Sequence, residues 1–331
     1  MSGLTGKRIL VTGGTGSFGR MFVEVALRDH DPKQVIVFSR DELKQREMQQ
    51  EFLGRDRGKL LFFIGDVRDS GRLYRAFNQV DLVVHAAAMK QVPTCEHNPI
   101  EAIKTNVLGS SNVVDAAIDR RVSRVISIST DKAANPISLY GATKLCADKL
   151  FIAANSYSES CGTYFSVVRY GNVMGSRGSV VPFFLGIRKT GTLPITDPRM
   201  TRFWITSKQA VEFVTETVER MQGGEIFVPK MPSIKIVDLA KALAPECKIE
   251  IVGIRSGEKL HEVMIPEDDA RTTVECGRYF SVLPSFRDYR SLKCEQHDGV
   301  KKKEGFRYSS DTNRDWLSAE QLRTLLNDQA D

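Results

Sequence analysis

The stretch from Arg8 to Gly19 reads RILVTGGTGSFG. A short apolar, β-branched run, Arg8 to Thr12, breaks into Gly13, Gly16 and Gly19 at G-x-x-G-x-x-G spacing, and a helical pattern starts at about Ser17. Glycines allow a tight turn and a close approach of backbone to a ligand, while the first N–H groups of a helix have no intrahelical partner. Strand, glycine turn and helix in that order make a seat for a pyrophosphate, with Thr15, Ser17 and Phe18 filling the spaces between the glycines.

Working outward, similar apolar runs recur through the first half: Gln34 to Phe38, Leu60 to Ile64, Asp81 to His85, Arg124 to Ser129 and Tyr164 to Arg169. Nearly continuous Val, Ile, Leu and Phe predicts strands buried on both faces, hence a parallel sheet covered by helices. Helices are expected between them over Phe18 to Leu27, Asp41 to Phe52, Ser70 to Phe77, Pro99 to Ile118 and Leu139 to Ala153. The expected fold is α/β, a Rossmann-like doubly wound parallel sheet with a smaller C-terminal α/β lobe. Residues 1–170 form the nucleotide-binding part and 171–331 mainly the substrate lobe, with returns to the first sheet. After Arg169 the rhythm breaks into GNVMGSRGSVVPFF and TGTLPITDPRMTRFW, loops rich enough in Gly and Pro to carry function.

The 331 residues are 41% hydrophobic and 27% charged, which excludes disordered, fibrous and coiled-coil classes. No run of about 18 apolar residues occurs, so no membrane span is expected. The start, MSGLTGKRILVTGG, runs into glycines with no small-residue cleavage site, and a cytoplasmic protein is the expectation. Cys95, Cys146, Cys161, Cys247, Cys276 and Cys294 lie far apart without metal-ligand spacing, so reduced thiols and no metal are expected. The net charge of +6 is spread along the chain and suits an anionic small substrate at least as readily as nucleic acid, and no nucleic-acid partner is expected. The densest basic run, Lys301 to Lys303, reads as a solvated loop, and Phe203 and Trp204 read as core.

At the tip of the second strand, VIVFSRDELKQ, an acidic residue would bind the ribose 2′-hydroxyl of NAD and an arginine the 2′-phosphate of NADP. Ser39 and Arg40 occupy the tip; Asp41 and Glu42 follow at once, so NAD stays open, and NADP is the reading taken. Leu43, Lys44 and Gln45 continue that wall. Asp66 and Val67 are expected near the adenine edge, and Ala86 among the small side chains of HAAA lets the cofactor approach.

The fifth strand ends in STDKAANPISLYGATK, which holds Thr130, Asp131, Lys132, Tyr140 and Lys144. Tyr140 and Lys144 share one helix face. A phenol with an ordinary pKa near 10 must be lowered to act as a base near neutrality, and an adjacent ammonium with a nicotinamide cation does that. Thr130 joins Tyr140 and Lys144 beside the cofactor.

TGGTGSFG, HAAA, Thr130 and YGATK resemble the extended short-chain dehydrogenase/reductase family, whose members act on nucleotide sugars. More narrowly, SRDELKQ, GDVRD, STDKAANP, VVRYGNVMGSRGSVVPFF, MTRFWIT, GGEIFVPK and GEKLHEVMIP resemble the inverting UDP-N-acetylglucosamine 4,6-dehydratases that begin pseudaminic acid synthesis. The resemblance implies an NADP-dependent lyase. C4 is oxidised as Tyr140 takes the hydroxyl proton, Lys132 removes the C5 proton while Asp131 assists departure of the C6 hydroxyl as water, and hydride returns to C6. Reprotonation of C5 on the opposite face gives UDP-2-acetamido-2,6-dideoxy-β-L-arabino-hex-4-ulose. It also implies that Asn172, Met200, Arg202, Arg255 and Glu258 hold the UDP-sugar and that Lys90 lies between nicotinamide and sugar. The helices over Pro99 to Ile118 and Leu139 to Ala153 would join a bundle between subunits of a homo-oligomer built from dimers. The product would feed flagellin, capsule or lipopolysaccharide glycosylation.

Two rival readings remain: a nucleotide-sugar 4-epimerase, which needs Tyr140 and Lys144 but no Asp-Lys pair, and a non-catalytic NADP-sensing protein. Asp131 and Lys132 separate the dehydratase from both.

Overall fold

The computed structural model describes residues 3–56, 58–176, 178–285 and 299–327. β1 (Arg8–Thr12), β2 (Gln34–Ser39), β3 (Leu60–Ile64), β4 (Leu82–His85), β5 (Arg124–Thr130) and β6 (Tyr164–Tyr170) pair in parallel, in the order β3-β2-β1-β4-β5-β6. The side chains of Ile9 to Thr12 and of Val35 to Ser39 are buried without alternation, as expected for strands covered on both faces. The order reverses between β1 and β4, and in open α/β sheets that switch point is where ligands bind. The glycine turn after β1 stands beside it.

The covering helices are α1 (Ser17–Asp29), α2 (Glu42–Glu51), α3 (Ser70–Ala76), α4 (Val92–His97), α5 (Pro99–Ile103), α6 (Gly109–Asp119) and α7 (Leu139–Ser158). The single helix expected over Pro99 to Ile118 is thus two, joined by a π-helical turn at Lys104–Leu108 in which the Gly109 N–H reaches back to the Lys104 carbonyl. The extra residue is accommodated because Asn106, inside that turn, is tied to the strand-4 side of the molecule. Its Oδ1 accepts from Met89 N at 2.8 Å and its Nδ2 donates to Met89 O at 2.9 Å. Such bulges cluster at functional sites.

Beyond β6 come β7 (Asn172–Val173), α8 (Val180–Ile187), β8 (Thr192–Ile195), β9 (Thr201–Ile205), α9 (Ser207–Arg220), β10 (Ile226–Pro229), β11 (Ser233–Lys235), α10 (Ile236–Leu243), β12 (Lys248–Ile251) and β13 (Val263–Ile265). They are followed by β14 (Thr273–Cys276), β15 (Tyr279–Val282), β16 (Val300–Lys301), β17 (Tyr308–Ser309) and α11 (Ala319–Asn327). β10 adds to β6 in parallel, and β15, β14 and β16 extend that edge antiparallel, so much of the later chain joins the first sheet. A separate apolar cluster of Phe184, Leu193, Met200, Trp204, Ile234 and Leu239 sits under the remaining elements. Phe203 and Trp204 are both core, at 0% and 2% exposure.

The basic run at Lys301 is not simply a solvated loop. Lys301 closes the edge strand β16, and Lys302 pairs with Glu275 at 2.7 Å and lies over the Phe306 ring. Cys95, Cys146, Cys161, Cys247 and Cys276 are free thiols; Cys294 lies outside the described residues. Among the described residues no helix is long and apolar enough to cross a membrane, and no group of His, Cys, Asp and Glu is arranged to hold a metal.

Candidate active site

Gly13 adopts φ +66°, and a Cβ there would come within 2.9 Å of the Ala87 backbone. A Cβ on Gly19 would come within 2.4 Å of Gly14, so α1 can pack on the turn only with glycine at that position. α1 begins at an N-cap, Gly16, that makes no side-chain capping bond, and its first turn carries no acidic residue. No side chain caps the positive dipole end of α1, a setting that favours an anion. Phe18 does not line the turn alone: its ring stacks with Tyr170 at 6.4 Å. Thr15 is buried, and its carbonyl accepts from Arg20.

The turn is braced from below. Thr12 Oγ1 lies 2.8 Å from His85 Nδ1 and accepts from Ala87 N at 3.3 Å, and Ser110 Oγ lies 3.3 Å from His85 Nε2. Burial, helped by the nearby Lys144 charge, pushes His85 down to about 3, so its ring is neutral at pH 7. Ala86 follows directly, its N–H bonded to Thr12 O.

At the tip of β2, Asp41 is the N-cap of α2. It accepts from Lys44 N at 3.0 Å and pairs with Lys44 Nζ at 2.7 Å. Gln45 is a structural tie: its Nε2 donates to Ser39 O, Ser39 Oγ and Phe63 O. Leu43 and Glu42 face solvent. Arg40, with its side chain 59% exposed, reaches Asp66 at 3.5 Å, and Asp66 is also held by Arg68 at 2.7 Å. Val67 is buried against Gly109, where a Cβ would come within 2.8 Å of it.

The second group of predicted residues converges at the ends of β5 and the start of α7. Asp131 is fully buried and Lys132 half-buried; Lys132 Nζ donates to Asp131 Oδ1 at 2.9 Å, and Thr130 Oγ1 donates to the same oxygen at 2.8 Å. Tyr140 lies beside them, close to the Thr130 hydroxyl. Gly141 makes this possible, since a Cβ there would come within 2.2 Å of the Lys132 carbonyl oxygen.

Burial alone would raise the Asp131 carboxyl, but the Lys132 ammonium, the Thr130 hydroxyl and Arg202 outweigh it and hold the group below the carboxylate range. Burial would likewise lower Lys132, yet Asp131 and Glu262 together raise it. At rest the proton is on Lys132. Burial pushes Tyr140 up to about 12, with the Lys132 charge pulling the other way. The ammonium acting on Tyr140 is thus that of Lys132. Lys144 Nζ instead donates to Ile128 O at 2.8 Å, and burial pushes it down against the opposing charge of Asp148. The lowering of Tyr140 expected from a Lys144 neighbour is therefore not built into the protein alone.

On the substrate side the chain brings in residues from distant segments. Arg202 donates to Thr201 O at 2.7 Å, Leu260 O at 3.1 Å and the sulfur of Met200 at 3.4 Å, so Arg202 and Met200 form one unit. Asn172 carries a buried Oδ1 with no hydrogen-bond partner. Arg255 and Glu258 share one turn, Glu258 Oε2 accepting from Arg255 N at 3.4 Å, and Arg255 is exposed. Gly257 in that turn sits against Ser138 and Val92, where a Cβ would meet them at 3.0 and 3.1 Å. Lys90 is exposed; at Gly178 a Cβ would come within 2.3 Å of the neighbouring Gln91, so the loop after β7 closes on the Lys90 segment.

Sequence reasoning missed Glu262, 2% exposed and 3.4 Å from Lys132 Nζ, and the buried Asp148–Arg169 pair at 3.2 Å beneath the site. Ser129 Oγ donates to Asp148, and Arg169 donates to Met264 O, so this strut ties β5, α7, β6 and β13 together. Asp148 was findable as the i+4 partner of Lys144 on one helix face; Glu262 carried no local signal.

The model of the family described as polysaccharide biosynthesis protein matches residues 9–284. The chain belongs to the polysaccharide biosynthesis protein family. The narrower resemblance is borne out as well. This polysaccharide biosynthesis protein is 52% identical to the inverting UDP-N-acetylglucosamine 4,6-dehydratase of Campylobacter jejuni, over 97% of the chain and 98% of the relative. It is 43% identical to a UDP-glucose 4-epimerase of Rickettsia akari, over 87% of the chain and 86% of the relative. Among solved structures, Pen from Bacillus thuringiensis superposes with a TM-score of 0.90 at 37% identity, covering 99% of both chains. DesIV, a dTDP-glucose 4,6-dehydratase from Streptomyces venezuelae with NAD bound, superposes at 0.68 with 25% identity over 76% of this chain and 86% of its own. The Rossmann-like α/β fold and a dehydratase with a nicotinamide cofactor follow for this family member.

Proposed function

We propose that the protein converts UDP-N-acetylglucosamine to the 4-keto-6-deoxy sugar with inversion at C5, using NADP. The observation that carries this is the buried Asp131–Lys132 hydrogen bond of 2.9 Å beside Tyr140. A 4-epimerase has no use for a second acid-base pair, whereas elimination of water across C5 and C6 needs both a base and an acid.

The residues present fit the cofactor: a glycine turn open to backbone approach, an uncapped helix N-terminus and the neutral bracing of His85. When bound, the nicotinamide would accept hydride from C4 and later give it to C6. Gly13, Thr15, Gly16, Ser17, Phe18 and Gly19 would hold its pyrophosphate end, with Asp66, Val67 and Ala86 along the adenine side. NADP rather than NAD is favoured because the Asp41 carboxylate is committed to the α2 N-terminus while the Arg40 guanidinium is exposed and would meet a 2′-phosphate.

Tyr140 would take the C4 hydroxyl proton once the cofactor's positive charge joins the Lys132 ammonium in opposing the burial that raises it. Lys132 would remove the C5 proton and Asp131 would deliver a proton to the departing C6 oxygen. The resting pair holds the same number of protons as that form and differs from it by one transfer across the existing hydrogen bond, from Lys132 Nζ to Asp131 Oδ1. After base and acid have acted, the pair returns to its resting charges. Arg202, Met200, Asn172, Lys90, Arg255 and Glu258 would hold the UDP-sugar, and residues 171–331 would supply most of that lobe. We place the enzyme in the cytoplasm as a homo-oligomer built from dimers, serving surface-glycan synthesis.

Proton NMR with UDP-N-acetylglucosamine in D₂O tests this reading. A new C6 methyl signal with deuterium at an inverted C5 is expected. Inversion at C4 without a methyl signal would make the protein an epimerase, and cofactor retention without any turnover would leave the sensing role.

A further inference from the structure

Lys132 Nζ lies between two carboxylates, Asp131 Oδ1 at 2.9 Å from the preceding residue and Glu262 Oε1 at 3.4 Å from the segment leading into β13. Glu262 is almost wholly enclosed, and it faces two further cations, Arg202 Nε at 3.8 Å and Lys259 Nζ at 3.7 Å. Its Oε2 accepts no hydrogen bond, and neither does Asp131 Oδ2. A buried carboxylate with an unsatisfied oxygen is costly unless its charge is used. Its backbone is fixed on both sides: Glu262 N donates to Ser310 Oγ at 2.9 Å, and Glu262 O accepts from Ser310 N at 2.9 Å. The titratable and charged groups meeting here are Asp131 and Lys132 after β5, the neutral phenol of Tyr140 on α7, Arg202 on β9, and Lys259 and Glu262 before β13. His261, the preceding residue, turns away to Thr201 Oγ1 at 2.8 Å. Two carboxylates against three cations leave the cluster positive, so removing one carboxylate makes every remaining proton in it easier to lose.

We propose that Glu262 is a positioning residue for the acid-base pair: from the far lobe it holds the Lys132 ammonium in place and sets the pH range in which Asp131 and Lys132 exchange protons with C5 and C6. The inference rests on the dehydratase reading above. It does not depend on which of Asp131 and Lys132 is acid and which is base, because loss of a negative charge moves both groups the same way. Lys259 Nζ also donates to Ala134 O at 2.6 Å, and thereby fastens the Glu262 segment to the turn that carries the pair.

The test is the pH profile of C5 deuterium incorporation for wild type, Glu262→Gln and Glu262→Asp, with formation of reduced cofactor in a single turnover followed in parallel. The C5 profile of Glu262→Gln should move to lower pH by at least about one unit. Glu262→Asp, which keeps the charge but withdraws it by one methylene, should move less in the same direction. The ratio of C5 exchange to cofactor reduction should change with it. A role in folding alone would lower both steps together and leave the profile in place. A profile of Glu262→Gln that superimposes on wild type would overturn the role of Glu262. If that variant does not fold, an unmoved profile for Glu262→Asp overturns it equally. Absence of C5 exchange in the wild type would instead remove the dehydratase reading, and this inference with it.

Discussion

The glycine turn after β1 and the acid-base cluster after β5 stand at the same end of one sheet, yet they are held together by different forces. The turn is backbone: a positive φ at Gly13, two close approaches that exclude a Cβ, and an open helix end. Its chemistry comes from close backbone approach and an uncapped helix dipole, which any sequence with glycines at those places would supply. The cluster is side chain and charge: Asp131, Lys132, Arg202, Lys259 and Glu262, brought from three stretches of chain and enclosed together. The contrast predicts that cofactor binding tolerates loss of single side chains around the turn, whereas removing one member of the cluster alters the protonation of the others.

The largest break is Lys132→Ala. C5 exchange in D₂O should fall by about a hundred- to ten-thousandfold, the usual span for a general base, while cofactor titration by fluorescence shows binding retained. Normal exchange in this variant would remove Lys132 from the base role.

Next in size is the strut beneath the cluster. Asp148 and Arg169 are almost fully buried at 3.2 Å, so Asp148→Ala leaves a guanidinium without its carboxylate. Breaking such a pair costs about 3–5 kcal/mol, to be read from denaturant unfolding. A loss below about 1 kcal/mol, the worth of an exposed pair, would show that Met264 O alone satisfies Arg169.

Under the glycine turn the corresponding strut is neutral, and acid should find it. The folded-state pKa of His85 lies near 3, well below its ordinary 6.5, so the unfolded chain binds a proton that the folded state refuses. This contribution is fully present above about pH 6.5 and is lost as pH falls toward 3, with about 2 kcal/mol gone by pH 5. Wild type should therefore lose that much more stability than His85→Gln between about pH 7.5 and 5. Equal losses would mean that Thr12 and Ser110 accommodate a charged ring.

The same contrast explains what could be read in advance. The six parallel strands, the glycine turn and the Tyr140/Lys144 face were legible because each is written in contiguous residues at a fixed period. The π-helical turn at Lys104–Leu108 was not, because its cause is a bond from Asn106 to Met89, outside any periodic pattern. Gln45 looked like a cofactor residue by its place after β2, but its amide serves Ser39 and Phe63. Gly141 was visible as a letter in YGATK, yet its reason, the Lys132 carbonyl against its Cα, exists only in three dimensions. Glu262 lay in a quoted motif, GEKLHEVMIP, with nothing local to separate it from a surface acid.

Arg40 gives the smallest and most selective effect, and it decides how far the backbone account of the turn extends. Its ion pair with Asp66 at 3.5 Å is exposed and contributes little, so the guanidinium is free to turn to a ligand. Asp41, one residue on, is occupied at the α2 N-terminus and cannot take the ribose hydroxyls without uncapping the helix. If Arg40 meets a 2′-phosphate, Arg40→Ala should weaken NADP about tenfold, the worth of one charge-assisted bond, and leave NAD within about twofold. Isothermal titration with both cofactors separates the outcomes. Equal losses would place Arg40 on a group the two cofactors share, and no loss for either would mean that the uncapped helix and glycine turn supply the affinity alone, with cofactor choice made elsewhere along the wall from Glu42 to Lys44.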